Sequence, residues 1–342
     1  MRSAAHPATH PATNGLVSDA VRALAEADFG GIAERFSSAG FGVEQPARGI
    51  LQIKSSVSLP ERLALLVSVG VHGDETAPIE MLALLLDRLA QAPQALAVDL
   101  MVAVGNLGAI AQGKRYLDAD MNRMFRAERG DLANAAEASR ADEIMAAVAA
   151  FFAASPGRKW HLDLHTAIRP SVYPAFAVIP DVIAEEEREA LLAWLGGAGI
   201  DAVILNRKLA GTFSAWTALE FGASGTTVEL GRIGELGAND LSQFAATQAA
   251  LDALLRSGDT RPLAQKTPRV FVVAQEIVKR SDAFTMAFDK ATWNFTALEP
   301  GAEIARDGDI VYRVGAETEY VVFPNPDVRP GLRAGLMVVR RP

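Results

Sequence analysis

The chain has 342 residues, half of them hydrophobic, with no cysteine and a net charge of −8. That length buries a sizeable core and suits one large domain with a smaller one. The missing cysteines exclude disulfides and thiolate metal ligands and fit a reducing cytoplasm, the acidic balance argues against a nucleic-acid partner, and no apolar run reaches the ~18 residues of a membrane-spanning helix.

In chain order, residues 1–15 are rich in Ala, Pro and Thr without a continuous apolar segment. They read as a frayed tail rather than a signal peptide. Residues 16–257 are expected to form an α/β domain. The run LALLVSVGV at 63–71 has the length and apolarity of a buried parallel strand. Thr76 and Pro78 mark a helix start, and the helix continues to about Ala90. A second buried strand is VDLMVAVGN at 98–106. Residues 131–155 are rich in strong helix formers, and KWHLDLHT at 159–166 alternates like a strand. A strand at 176–180, a helix at 183–196, a strand at 201–206, a short helix near 213–222 and a strand at 226–230 follow. Asn239 or Asp240 caps a helix running to about Leu255. Strands alternating with helices predict a mixed, mostly parallel sheet with helices on both faces. Residues 258–268 read as a linker, and short β-rich runs over 269–342 predict a small all-β C-terminal domain.

The chain has five histidines, and His6 and His10 fall in the expected tail. His72, His161 and His165 remain for a buried metal. His72 and Glu75 sit three apart where an apolar strand turns into a helix, and both residue types are good zinc donors. The spacing of His161 and His165 invites an H-E-x-x-H reading, but position 162 is Leu, so the general base of that motif is absent. On a strand, His161, Asp163 and His165 share one face, with the two histidines ~13 Å apart. One ion with bonds of ~2 Å does not take both. His165 is the better partner for His72 and Glu75, because it ends its strand where sites form at carboxyl edges. Asp163 then serves as a carboxylate that orients a histidine ligand. His161 reads as a packed, hydrogen-bonded core residue. A lone H-x-x-E is common and carries little weight by itself.

Five segments occur in order: G-V-H-G-D-E-T-A-P-I-E (70–80), G-K-R-Y-L-D-A-D-M-N-R-M-F (113–125), D-L-H-T-A-I-R (163–169), G-T-F-S (211–214) and T-V-E-L-G (227–231). Together they closely resemble the succinylglutamate desuccinylase and aspartoacylase group of the zinc carboxypeptidase-like fold. The match runs from about residue 45 to the C-terminus. Any one motif is weak; five in order are specific.

The resemblance implies one zinc ion per subunit, held by His72, Glu75 and His165, with a position left for water. It implies Glu229 as catalytic acid/base, and Arg115, Asn122 and Arg123 as groups that bind substrate or polarise its carbonyl. The implied reaction converts N-succinyl-L-glutamate and water to succinate and L-glutamate, at the end of arginine degradation by the succinyltransferase route. Zinc chemistry suits an amide, a poor electrophile that needs polarisation, and a carboxylate beside the water suits the proton transfers. By itself Glu229 would read as a solvated charge at a strand end; the T-V-E-L-G match gives it a role. A small substrate with three carboxylates calls for several arginines, and Arg169 joins Arg115 and Arg123 as a candidate. Lys114 and Lys208 read as surface charges.

Two features depart from the pattern. G-N-L-G-A at 105–109 stands where G-N-P-x-A is expected, and P-S-V-Y-P after Arg169 has no mapped contact. Both leave the catalytic residues intact and bear on substrate preference. The nearest alternative is an aspartoacylase-like deacylase acting on another N-acyl acidic amino acid. A non-catalytic, metal-stabilised binding protein and a peptide carboxypeptidase are further readings. No membrane partner is expected, and a homo-oligomer is not excluded.

Overall fold

The computed structural model describes residues 17–55, 61–207, 211–289 and 291–341; the expected tail at 1–15 lies outside them. Two short helices, α1 (Asp19–Ala25) and α2 (Gly30–Ser38), precede an antiparallel pair, β1 (Gly42–Ala47) and β2 (Ile50–Lys54). The alternating region comprises β3 (Ala64–Val69), α3 (Thr76–Ala90), β4 (Asp99–Val104), α4 (Leu107–Ala111), α5 (Ala138–Ala153), β5 (Lys159–Ala167), β6 (Ala175–Pro180), α6 (Glu185–Gly197), β7 (Ala202–Asn206), α7 (Phe213–Phe221), β8 (Ser224–Arg232) and α8 (Ala245–Ser257). Among the described residues seven strands follow: β9 (Arg269–Val278), β10 (Phe284–Met286), β11 (Thr296–Leu298), β12 (Glu303–Asp307), β13 (Ile310–Arg313), β14 (Glu319–Val322) and β15 (Arg333–Arg340).

Among the described residues, one sheet runs in the order β1-β2-β4-β3-β5-β8-β6-β7-β9-β15-β14-β11, and a second holds β10-β12-β13. The stretch β4-β3-β5-β8 is parallel, and antiparallel pairs lie towards both ends. This is the mixed α/β sheet that the alternation of strands and helices predicts. The C-terminal strands do not stand apart from it: β9 pairs in parallel with β7, so the large sheet continues into the β-rich region.

Every residue of β3 is buried, and its side chains alternate between two cores. Leu65, Val67 and Val69 join the core on one face with Leu100, Val102 and Val104; Ala64 and Leu66 join the other with Met101 and Ala103. β5 breaks the symmetry. Trp160, Leu162 and Leu164 enter the first core, while the opposite face presents His161, Asp163 and His165, all buried. A polar stripe on the central strand of a buried sheet is costly unless fully partnered, which makes it the natural place to look for function.

Local differences from the sequence reading have physical causes. The helix expected from 131 starts at Ala138, after a 3-10 turn at Gly130–Asn134. The last helix of the α/β region opens as a 3-10 turn at Leu241–Phe244 whose cap is Asp240, accepting from the Ser242 N–H. Asn239 is turned away to Glu80 and Thr76. β1 escaped notice because it is a largely exposed edge strand containing Pro46.

Candidate active site

β3 ends at Val69 and the chain turns through Gly70-Val71-His72-Gly73-Asp74-Glu75 into α3. A Cβ on Gly73 would lie 2.3 Å from the backbone of Ala109, so only glycine lets this turn press against α4. The Gly73 N–H donates to the Arg115 carbonyl, fastening the turn to the next motif. His72 and Glu75 are thereby held at the carboxyl edge of the sheet, and β5 delivers His165 to the same point.

The three side chains meet. His72 Nδ1 lies 2.8 Å from Glu75 Oε1, His165 Nδ1 lies 2.8 Å from Glu75 Oε2, and the two Nδ1 atoms are 3.2 Å apart. All three residues are buried, and their ligand atoms lie within 4.8 Å of one another. Each imidazole uses its far nitrogen elsewhere: His72 Nε2 faces Asp120 Oδ1 at 2.9 Å, and His165 Nε2 faces Asp163 Oδ2 at 3.0 Å. A neutral ring that donates Nε2–H to a carboxylate presents a bare lone pair at Nδ1. Two such lone pairs and a carboxylate converge at one point, and a donor set of two imidazoles and one carboxylate suits zinc.

The electrostatics agree. Burial, and the positive charge of Arg115, oppose protonation of His72, yet Glu75 and Asp120 raise its pKa. Burial likewise opposes the charge on His165, but Asp163 and Glu75 raise its pKa well above the ordinary value. Although burial penalises its charge, His72 and His165 hold the Glu75 carboxyl well below the usual range. Arg115 Nη1 and the Thr166 N–H also donate to Glu75, at 2.7 and 3.1 Å.

Glu229 stands beside His165 because β8 pairs in parallel with β5, with Glu229 opposite His165. It is 7% exposed. Burial, then the charge of Glu75, pushes its carboxyl up to about 7. Such a group exchanges protons readily near neutrality.

The motif around Asn122 forms a short 3-10 turn, Met121–Arg123, capped by Asp120. Asn122 Oδ1 accepts from the Phe213 N–H at 2.8 Å, so any contact with a ligand falls to its NH2 group. The Phe125 N–H donates to Gly211 in return, which locks the G-T-F-S segment onto this turn. Arg123 lies 3.7 Å from Asp120, partly exposed. Arg115 and Arg123 therefore flank the His-Glu-His cluster. Arg169 does not join it. Its guanidinium donates to the Asp289 carbonyl in the C-terminal region, where Asp327 and Asp289 face it.

Two residues of the site were not singled out in the sequence. Asp120 orients His72; its signal was an Asp two residues before Asn122, the Asx pattern of a capped turn. Arg333 arrives from β15. Burial, then the like charge of Arg123, pushes its guanidinium down to about 10, against the opposing pull of Glu276 and Asp120. Nothing in the sequence pointed to it, since its partners lie far away along the chain.

A family model described as the succinylglutamate desuccinylase/aspartoacylase catalytic domain matches residues 61–255, and one described as the AstE/AspA barrel-sandwich hybrid domain matches 266–341. A succinylglutamate desuccinylase from Burkholderia thailandensis is 46% identical over 85% of this chain and 84% of its own length. The solved succinylglutamate desuccinylase of Chromobacterium violaceum is 35% identical with a TM-score of 0.75, covering 91% of this chain and 98% of that one. That of Vibrio cholerae is 30% identical with a TM-score of 0.79, covering 88% of each. No helix among the described residues is long and apolar enough to cross a membrane. With a catalytic-domain match across more than half its length and relatives this similar over 85% or more of it, the chain belongs to the succinylglutamate desuccinylase/aspartoacylase family.

Proposed function

We propose that the chain is a zinc-dependent amide hydrolase converting N-succinyl-L-glutamate and water to succinate and L-glutamate. The observation that carries this reading is the convergence of His72 Nδ1, His165 Nδ1 and the Glu75 carboxylate beside the buried Glu229, which lies opposite His165 across the β5–β8 pair. The relatives of similar length carry that activity in their names.

His72, Glu75 and His165 would hold the ion. Zinc bound there would activate a water molecule and take up charge at the amide carbonyl oxygen. Asp120 and Asp163 orient the two imidazoles, so both Nδ1 atoms face the ion. Glu229 accepts the proton of the attacking water at a carboxylate oxygen. It then returns that proton to the departing amide nitrogen, which leaves as the amine of glutamate. Arg115, held against Glu75, would polarise the substrate carbonyl. Asn122 offers its NH2 group, and Arg123 and Arg333 supply paired positive charge for substrate carboxylates. The reading places the reaction in the cytoplasm, as the step that ends arginine degradation by the succinyltransferase route.

The family also contains aspartoacylases, and the two activities share this chemistry. A panel of N-acyl amino acids separates them. N-succinylglutamate should be turned over at least tenfold faster than N-acetylaspartate; the reverse order would assign the chain to the aspartoacylase side. Absence of turnover on the whole panel, with zinc bound, would favour a binding protein.

A further inference from the structure

His161 is fully buried, lies on the functional face of β5, and has no part in the reaction as proposed. Its surroundings form a continuous hydrogen-bonded line. His161 Nδ1 is 2.8 Å from Thr217 Oγ1 on α7, and His161 Nε2 is 2.8 Å from Ser68 Oγ on β3. Ser68 Oγ is 2.6 Å from Asp163 Oδ1, and Asp163 Oδ2 is 3.0 Å from His165 Nε2. The sheet register makes this possible, since Ser68 lies opposite Asp163 across the β3–β5 pair. A Cβ on Gly225 would meet the Ser214 carbonyl at 2.4 Å, so this glycine lets α7 bring Thr217 down onto the ring. Phe213 packs edge-on against the imidazole, with centroids 4.4 Å apart.

The direction of the line follows from counting hydrogens. Ser68 Oγ donates to Asp163 Oδ1, and His165 Nε2 faces the other oxygen of the same carboxylate, which has no hydrogen of its own to give. Ser68 therefore spends its one hydrogen on Asp163 and must accept at the face it turns to His161. His161 then carries its hydrogen on Nε2. Burial pushes its pKa down to about 4, so the ring is neutral and Nδ1 is bare. Thr217 donates to that Nδ1, sharing its hydrogen with the Ser214 carbonyl 3.0 Å away. The opposite polarity would set the Ser68 and Asp163 oxygens 2.6 Å apart with no hydrogen between them, which a buried carboxylate does not tolerate.

We infer that His161 is a positioning residue for the metal centre: through Ser68 it aims the Asp163 carboxylate, which fixes His165 with its hydrogen on Nε2 and its Nδ1 lone pair towards the ion. This rests on the metal-site reading above. Ligand-orienting groups of this kind contribute ~10–100-fold to metal affinity, and one acting through an intervening hydroxyl belongs at the low end.

The test measures zinc affinity by competition with a chromogenic chelator, and the visible absorption spectrum of the cobalt-substituted protein. His161→Phe keeps the ring and removes both nitrogens. It should weaken zinc binding about tenfold and alter the cobalt bands, whereas KM at saturating zinc stays within about twofold of wild type. Ser68→Ala should weaken zinc binding by a similar factor, and the double variant should lose no more than either single one. His161→Gln, whose amide replaces the Nε2–H donor, should recover most of the affinity. Unchanged zinc affinity and cobalt spectrum in His161→Phe, with only a lower Tm, would overturn the inference. Should His161→Phe not fold, Ser68→Ala decides it by the same two readouts. Wild-type protein that bound neither ion would overturn the metal-site reading and the relay together.

Discussion

The two sides of the candidate site are built on different principles. The metal side is carried by neighbouring strands of one buried sheet: β3 leads into the turn of His72 and Glu75, β5 brings Asp163 and His165, and β8 brings Glu229. Its side chains are almost wholly enclosed, with Glu75 3% and Asp163 0% exposed, and His72, Glu75, Asp163 and His165 each have a named partner. The arginine side is assembled from a loop, a 3-10 turn and a C-terminal strand. Arg115 and Arg123 remain 29% and 32% exposed, and Arg123 faces another cation, Arg333. A cation needs enclosed, pre-aimed lone pairs; a charged substrate needs clustered guanidiniums that stay open to solvent. Substitutions on the first side should damage chemistry or metal binding, and those on the second should damage KM.

The largest effect expected is at Glu229. Glu229→Gln removes the proton carrier without touching a ligand, so hydrolysis should fall about 10³-fold while zinc content is unchanged. Turnover near wild type would remove Glu229 from the reaction.

On the arginine side, Arg123→Ala and Arg333→Ala should each raise KM roughly 10–100-fold, the cost of one charge-assisted contact, with kcat reduced far less. Arg169→Ala, in contrast, should change KM by less than about threefold, since Arg169 is turned to Asp289 in the C-terminal region and not to the His-Glu-His cluster. If Arg169 mattered as much as Arg123, the division between the two sides would be drawn in the wrong place.

Proton competition gives the metal side a pH signature. His72 and His165 have raised pKa values in the metal-free protein, and both must present bare Nδ1 atoms to an ion. Zinc binding should release protons and weaken by about tenfold per pH unit for each proton displaced as pH falls. Calorimetry in buffers of different ionisation enthalpy measures that release; none at pH 6 would contradict the assigned donor atoms.

A smaller effect falls on stability. Glu137, 2% exposed, accepts from the backbone of Leu117, Asp118 and Ala119 and from Asn106. It braces the loop that carries Arg115. Although burial opposes its charge, these donors lower its pKa from 4.5. Its contribution is therefore present above the unfolded value and fades as pH falls through the lower folded one. Glu137→Ala should cost about 2 kcal/mol at pH 7, and the gap to wild type in denaturant titrations should narrow in acid.

This contrast also explains what the sequence could reveal. The metal side was legible because strand periodicity puts His161, Asp163 and His165 on one face, and strand rise keeps the two histidines from sharing an ion. The structure turns His161 away to Ser68 and Thr217, as that spacing demands. Helices α3 and α5 to α8 and strands β3 to β8 are legible through apolar runs and caps, whereas α1, α2, α4 and β2, five to nine residues each, are too short to show a period and are not read. β1, an exposed edge with a proline, carried no such signal. Arg333 carried none either, because its approach to Arg123 is created only when the sheet continues through β9 to β15. Asp120 is not read from the sequence: the Asx pattern before Asn122 signals at most a capped turn, and its grip on His72 depends on tertiary contact.

The central claim is that His72, Glu75 and His165 hold one zinc ion that hydrolysis requires. Titrating zinc into metal-stripped protein while following cleavage of N-succinyl-L-glutamate tests it most directly. Activity should rise linearly and break at one zinc per chain. Full activity in the stripped protein, or no activity at any zinc level, would contradict the account.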